Sequence, residues 1–283
     1  MFKILKLTAW SFGITMVYMA ANAQPSMSDL CQDSDMDSDT AYNLEQVLSS
    51  TVAIAEEHSS RNKTYYIHGG TGNIVGRSGK TYYVLTTKHQ VKSQSHRTLL
   101  RRHAYREATG EFYELELLKT SRNDDLALWR FQSPQTLPHR NWIQKPPKRK
   151  EYSFPIRKAY ILGYPLVRTG PLYSFDAYRK SIEKSIKVRC TTANLSGLLY
   201  DYDRDENIYR VVLTLDEEVR NGRSGGFVVD EKGYGKEKGI MGINLGTSLL
   251  NAHGQKGYFL PIWAAFDWVR EVAPSILPPQ ERE

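Results

Sequence analysis

Ser224 lies inside the pentapeptide G-R-S-G-G, Gly222 to Gly226, and the chain reaches it only after a histidine at 89 and an aspartate at 125. A serine hydroxyl is a weak nucleophile until a neighbouring base takes its proton. An imidazole serves as that base when a carboxylate holds its ring and its tautomer. His89, Asp125 and Ser224 supply these three side chains in one chain order, each at the edge of an apolar, strand-like run. The chemistry open to such a trio is nucleophilic acyl transfer. Asp124 is the neighbour of Asp125 and competes for the same role. His58, His68, His96, His103, His139 and His253 have no matching acid and serine in such contexts, and read as satisfied surface or core residues.

A second pattern fits the same serine. G-R-S-G-G also satisfies the G-x-S-x-G nucleophile elbow, and Asp230 with His253 would complete the Ser, Asp, His order of an esterase. That fold alternates strands with helices, and helical patterns are missing between the strand runs here. The elbow reading is therefore the outsider.

The elements that must position these residues are mostly strands. S-S-T-V-A-I-A, T-Y-Y-I-H-G-G-T-G-N-I-V-G, K-T-Y-Y-V-L-T-T, E-F-Y-E-L-E-L-L and D-L-A-L-W-R-F carry β-branched and aromatic residues between Gly, Asn and Ser punctuation. Five or six short strands between Thr51 and Phe131 suit a small antiparallel barrel or sandwich, with its unit placed at 47–135. Ser133 to Pro155 holds five prolines and little apolar periodicity, so 136–156 reads as a linker. A second β-rich unit follows at 157–274. It closes with a helix in which Trp263, Phe266, Val269 and Val272 recur at helical spacing, before a tail at 275–283.

At the other end, Lys3 and Lys6 precede an apolar run from Leu7 to Ala20 and the small residues Ala21 to Ala23, the pattern of a cleavable secretory signal at 1–23. Export to a periplasmic or extracellular space is expected, without stable membrane insertion after cleavage. The extension at 24–46 is acidic. Its alternating aspartates, Asp33 to Asp39, miss the calcium-loop pattern because Ser38 and Leu44 stand where Gly and Glu are required, so it reads as a solvated tail. Net charge is +7, concentrated at Lys145 to Lys150 and Arg97 to His103. Without interleaved aromatics or a binding motif these read as solvated linker and loop, and no nucleic-acid partner is expected. Cys31 and Cys190 are too few for a disulfide scaffold and too far apart for a metal motif. In an exported chain they are either a bonded pair or two buried thiols.

In this order, G-T-G-N-I-V with Y-Y-V-L-T-T-K-H-Q-V, D-D-L-A-L, G-R-S-G-G-F-V-V, G-I-N-L-G and F-L-P-I before a helix resemble the trypsin-like serine proteases of the chymotrypsin fold. Among these the chain is most similar to bacterial secreted peptidases related to the Deg-type, high-temperature-requirement proteases. The resemblance implies an all-β fold of two antiparallel six-stranded β-barrels with a short C-terminal helix and an active site in their seam. It implies Ser224 as nucleophile, His89 as base and then acid, and Asp125, directly before L-A-L, as the orienting carboxylate. It also implies an oxyanion hole from the backbone N–H groups of Gly222 and Ser224, a protein or peptide substrate, and no metal or organic cofactor.

Arg223 departs from the family pattern, which has an acid or Asn before the nucleophile, so activation by insertion of a new N-terminus is not expected. Glu218 stands at the expected floor of the specificity pocket, where a carboxylate would favour Lys or Arg, or else is solvated. Asn244 occupies the place where glutamyl endopeptidases carry His, which disfavours strict preference for acidic substrates. Deg-type relatives often append PDZ domains. None is expected in the short stretch after the terminal helix. The alternative to an enzyme is an inactive, binding protein on the same fold.

Overall fold

The computed structural model describes residues 26–61, 63–91, 98–138, 158–165, 172–185, 189–203, 208–215, 223–230, 240–248 and 256–276. The expected leader, most of the expected linker, the run Lys145 to Lys150, Glu218 and Gly222 lie outside the described residues.

Strands β1 (Thr51–Ser60), β2 (Lys63–Ser78), β3 (Thr81–Thr86), β4 (Thr98–Arg106), β5 (Glu111–Thr120) and β6 (Ala127–Gln132) pair antiparallel in the order β1-β2-β3-β6-β5-β4, and β1 meets β4 to close a barrel. The two-residue period of β1 accounts for its burial on both faces. Val52 and Ile54 join the barrel interior with Ile74, Val84 and Trp129, while Ala53 and Ala55 join an outer aromatic cluster with Tyr66, Tyr105 and Tyr178.

A second sheet contains β7 (Lys158–Gly163), β8 (Arg189–Asp203), β9 (Ile208–Leu215), β10 (Phe227–Asp230), β11 (Ile240–Ser248) and β12 (Lys256–Pro261). Its antiparallel order is β10-β11-β12-β9-β8-β7, and β10 also pairs with β7, Val228 opposite Ile161. Alternation again divides the residues. Ala159 and Ile161 pack with Val228, Met241 and Phe259, whereas Tyr160 and Leu162 share a cluster with Leu85, Leu126 and Leu128 of the first barrel. The two sheets therefore meet across apolar side chains.

The extension is not the solvated tail its composition suggests. It forms α1 (Met27–Cys31) and α2 (Ser38–Ser50), because its small polar residues serve as helix caps. Ser26 and Asp29 make a reciprocal capping box, and Asp37 accepts from the Thr40 N–H at 2.6 Å. Met27, Leu44 and Val47 bury their side chains in the cluster at the seam, and Cys31 is joined to Cys190 by a disulfide. Asp33, only 8% exposed, accepts from the Tyr160 hydroxyl at 2.7 Å and pairs with Lys158.

Two further helices frame the sheets. The unexpected α3 (Phe175–Ser185) lies between β7 and β8 in sequence yet packs on the first barrel, with the Phe175 ring 4.3 Å from Tyr66 and 4.4 Å from Phe112. The expected terminal helix is α4 (Ile262–Val272), which buries Ile262, Ala265, Phe266 and Val269.

An ionic network is sealed beneath these layers. Arg102 donates to Glu56 Oε1 from Nε at 3.1 Å and from Nη2 at 2.8 Å, and Glu56 Oε2 lies 3.0 Å from His58 Nε2. Arg102 Nη2 also donates to the Val91 carbonyl at 2.9 Å. Buried charges persist only when paired, so Glu56→Ala, which strands Arg102, is expected to lower the unfolding free energy by about 3–5 kcal/mol in a urea titration.

Hydrogen bonds from Lys158 and Tyr160 hold the Asp33 carboxyl below the ordinary aspartate range. A lowered carboxyl pKa contributes stability above the unfolded value, which is lost as pH falls through the folded one. The stability gap between the parent and Asp33→Asn is expected to be constant from neutral pH to about 5. It should shrink below about 3.9, as read by thermal melts across pH.

Candidate active site

The run Tyr82 to Thr87 leaves the first barrel through β3, and the chain tightens into a 3-10 turn, Lys88–Gln90, with His89 at its centre. Asp125 reaches that turn from the loop between β5 and β6. The loop is shaped locally: the N–H groups of Asn123 and Asp124 donate to Ser121 Oγ at 3.3 and 3.1 Å, and the Ser121 N–H donates to the Leu126 carbonyl at 2.9 Å. Leu126 is buried in the seam and anchors the loop's end. Asp124 turns back towards Ser121 Oγ, 3.5 Å away, while Asp125 faces the histidine.

Both oxygens of Asp125 engage the same residue. Oδ1 accepts from the His89 backbone N–H at 2.8 Å and Oδ2 from Nδ1 at 2.6 Å. A proton held on Nδ1 leaves Nε2 as the basic nitrogen, and Nε2 faces the Thr87 hydroxyl at 3.3 Å. The Asp125 side chain is 13% exposed and that of His89 40%, so the carboxylate is shielded while the imidazole stays open.

Ser224 lies just before β10 on a loop held from both sheets. Its carbonyl accepts from the Thr71 N–H at 3.1 Å, and the Gly225 carbonyl accepts from Asn73 Nδ2 at 2.7 Å. From the second sheet, the Gly225 N–H donates to the Asn244 carbonyl at 2.7 Å and the Asn244 N–H to the Gly226 carbonyl at 2.8 Å. Gly225 has φ +88°, and a Cβ there would lie 2.1 Å from the Thr71 carbonyl oxygen and 2.2 Å from Thr86 Oγ1. The Ser224 hydroxyl donates to the Leu245 carbonyl at 3.3 Å. Among the described residues, that is the hydrogen bond it makes, and His89 does not share it.

Asn244, expected beside the substrate pocket, lies on β11. It is fully buried, and both ends of its amide are committed to backbone: Nδ2 donates to the Arg223 carbonyl at 2.9 Å and Oδ1 accepts from the Gly246 N–H at 3.0 Å. These bonds tie β11 to the loop that carries Ser224. Arg223 is also buried, with Nη1 donating to Thr191 Oγ1 on β8. Glu218 and Gly222, expected at the specificity pocket and the oxyanion hole, lie outside the described residues.

Three other histidines are placed in the first barrel's walls. His58 faces Glu56, His103 Nε2 lies 2.8 Å from Glu57 Oε2, and His68 Nδ1 lies 3.1 Å from the Tyr178 hydroxyl. Of the esterase candidates, Asp230 is buried at the end of β10 and His253 lies outside the described residues. Among the described residues, no group of three or more His, Cys, Asp or Glu could hold a metal. Asn73 and Gln90, which touch the nucleophile loop, were not singled out by the sequence reading. Their only signals are the polar Asn inside an apolar strand and the Gln beside the candidate base.

The family model described as trypsin-like peptidase domain matches residues 70–234, which contain His89, Asp125 and Ser224. Among solved structures, the active form of the Rv3671c protease from M. tuberculosis aligns with a TM-score of 0.56 at 16% identity, covering 84% of this chain and 86% of that one. Its inactive form gives 0.54 at 16% identity, over 82% and 93%. The HtrA-type protease AlgW, solved with a decapeptide, gives 0.55 at 15% identity, over 83% and 68%. At these identities the likeness is one of fold. No curated protein matches the sequence.

The glycine at 225 combines a left-handed backbone with contact against a carbonyl oxygen. Gly225→Ala is expected to cost at least about 2 kcal/mol of unfolding free energy. Urea titration would measure the loss, and an unchanged midpoint would contradict this account of the loop.

Proposed function

The chain belongs to the trypsin-like peptidase family, and on that premise we propose that it is an exported serine endopeptidase. Its reaction would run through a His89, Asp125, Ser224 triad and an acyl-enzyme intermediate. The observation that carries this reading is the double engagement of His89 by Asp125, at 2.8 Å to the backbone and 2.6 Å to the ring. A carboxylate so placed sets the tautomer a general base needs and stabilises the imidazolium that forms when it takes a proton.

In the proposed reaction Ser224 Oγ attacks the scissile carbonyl while its proton passes to His89 Nε2. The oxygen of the tetrahedral intermediate is met by the backbone N–H groups of Gly222 and Ser224. His89 then returns the proton to the departing amine, and a water activated by the same nitrogen releases the acyl group. We assign the two six-stranded sheets as the paired barrels of this fold, with the cleft at their seam. The ring of pairings in the second sheet, closed by β10 on β7, supports that assignment. A secretory leader accords with the Cys31 to Cys190 disulfide, since such bonds persist in oxidising compartments. The substrate class is protein or peptide, and the decapeptide held by the AlgW protease supports it.

Digestion of an unfolded protein, followed by mass spectrometry of the fragments, tests this. The parent chain should cut and Ser224→Ala should not. Asp125→Asn should lose about ten-thousand-fold in kcat through the wrong tautomer. Cleavage sites clustered after Lys or Arg would give Glu218 its pocket role. Equal cutting by parent and Ser224→Ala would overturn the assignment of the nucleophile.

A further inference from the structure

His89 and Ser224 belong to different sheets, so their approach depends on what ties the 3-10 turn to the nucleophile loop. Among the described residues, one side chain spans the gap. Gln90, next to His89 and 6% exposed, donates from Nε2 to the Ser224 main-chain carbonyl. Its Oε1 lies 3.0 Å from Thr86 Oγ1, whose single proton is shared with the Thr71 carbonyl at 2.6 Å. The Ser224 carbonyl fixes the amide's orientation, because the reversed amide would set two oxygens against each other.

The surrounding chain is built around this contact. Gly70, at φ +153°, lies against the Gln90 amide, and a Cβ there would fall 2.4 Å from its carbon and nitrogen. Space that any other residue would fill is left for the glutamine. The fold has less need of the contact. The Ser224 carbonyl keeps the Thr71 N–H, and the loop keeps Asn73 and Asn244, when Gln90 is removed. The tie between the base's turn and the nucleophile's backbone is lost, together with the contact to Thr86 Oγ1, whose proton keeps the Thr71 carbonyl.

We propose that Gln90 is a positioning residue that sets the distance between His89 Nε2 and Ser224 Oγ; the inference rests on the peptidase reading above. Gln90 bonds the backbone of Ser224 and not its hydroxyl. Its removal should slow attack by the serine and leave substrate binding alone, since misplacing reacting groups by about 1 Å costs on the order of a hundredfold.

The test uses the full chain and a fluorophosphonate probe that reacts at an activated serine, with peptide hydrolysis and thermal melts alongside. Gln90→Leu should be labelled about 10- to 100-fold more slowly, with KM and melting temperature near those of the parent. Gln90→Glu places a carboxylate against the Ser224 carbonyl and regains a donor only when protonated. Its rate relative to the parent should therefore rise as pH is lowered from about 8 to about 5.5, as the introduced carboxyl takes up its proton. A parent that is not labelled overturns the peptidase reading and this inference with it. A labelled parent matched by an equally fast Gln90→Leu overturns the role of Gln90 alone. Where Gln90→Leu fails to fold, a flat Gln90→Glu ratio across pH overturns it.

Discussion

The carbonyls of Ser224 and Gly225 are polar groups placed where two sheets meet, and the first barrel satisfies both, through Thr71, Gln90 and Asn73. A buried carbonyl left without a partner costs about 1–3 kcal/mol, so the sheets cannot part at this point without orphaning the loop. Closing the seam and shaping the nucleophile loop are thus one condition. The glycine at 225 follows from it, because the backbone of Thr71 comes too close for any side chain.

That closure is reinforced by apolar packing and by the N-terminal segment. Leu85, Leu126 and Leu128 from the first barrel meet Tyr160, Leu162 and Phe227 from the second sheet, and Met27, Leu44 and Val47 join the same cluster. Burial of this kind gives roughly 25 cal/mol per Å² but no direction. Direction comes from Asp33 on Tyr160 and Lys158, and from the disulfide to Cys190. The residue after Cys190 is Thr191, which takes the guanidinium of Arg223. The extension is therefore linked through adjacent contacts to the residue before the nucleophile. Arg223, although foreign to the family pattern at this position, has a half-buried partner on β8.

Strands and the order of His89, Asp125 and Ser224 were legible because β-branched alternation and the glycines around a serine are local signals. The choice of Asp125 over Asp124 came from the family motif, and the loop gives it a mechanism: Ser121 Oγ draws Asp124 back. The helices α1 and α2 were hidden by composition. Ser26, Asp29 and Asp37 look like a solvated tail when counted, and like helix caps when their spacing is considered. The roles of Asn244 and Gln90 were not legible at all, since each depends on which backbone group a distant strand brings within reach. Helix α3 escaped for a related reason: its aromatic face is satisfied by the first barrel, not by its neighbours in sequence.

The hydrogen bonds at the site separate what is already set from what the proposed reaction must move. Asp125 uses one oxygen on the backbone of His89 and the other on its ring, so the base is oriented without help from Ser224. The hydroxyl of Ser224 instead rests on the Leu245 carbonyl at 3.3 Å, and Thr87 occupies Nε2 at the same distance. Both are long contacts, and a neutral hydrogen bond nets only about 0.5–1.5 kcal/mol in water. Catalytic bonds that are absent in a free enzyme often form in the substrate complex. In the proposed reaction the serine hydroxyl leaves the Leu245 carbonyl, and the Thr87 hydroxyl leaves Nε2, as the bond between Oγ and Nε2 forms. On the proposed reading, the hydrogen bonds on the Ser224 carbonyl, from the Thr71 N–H and from Gln90, hold the two backbones at the separation that bond requires.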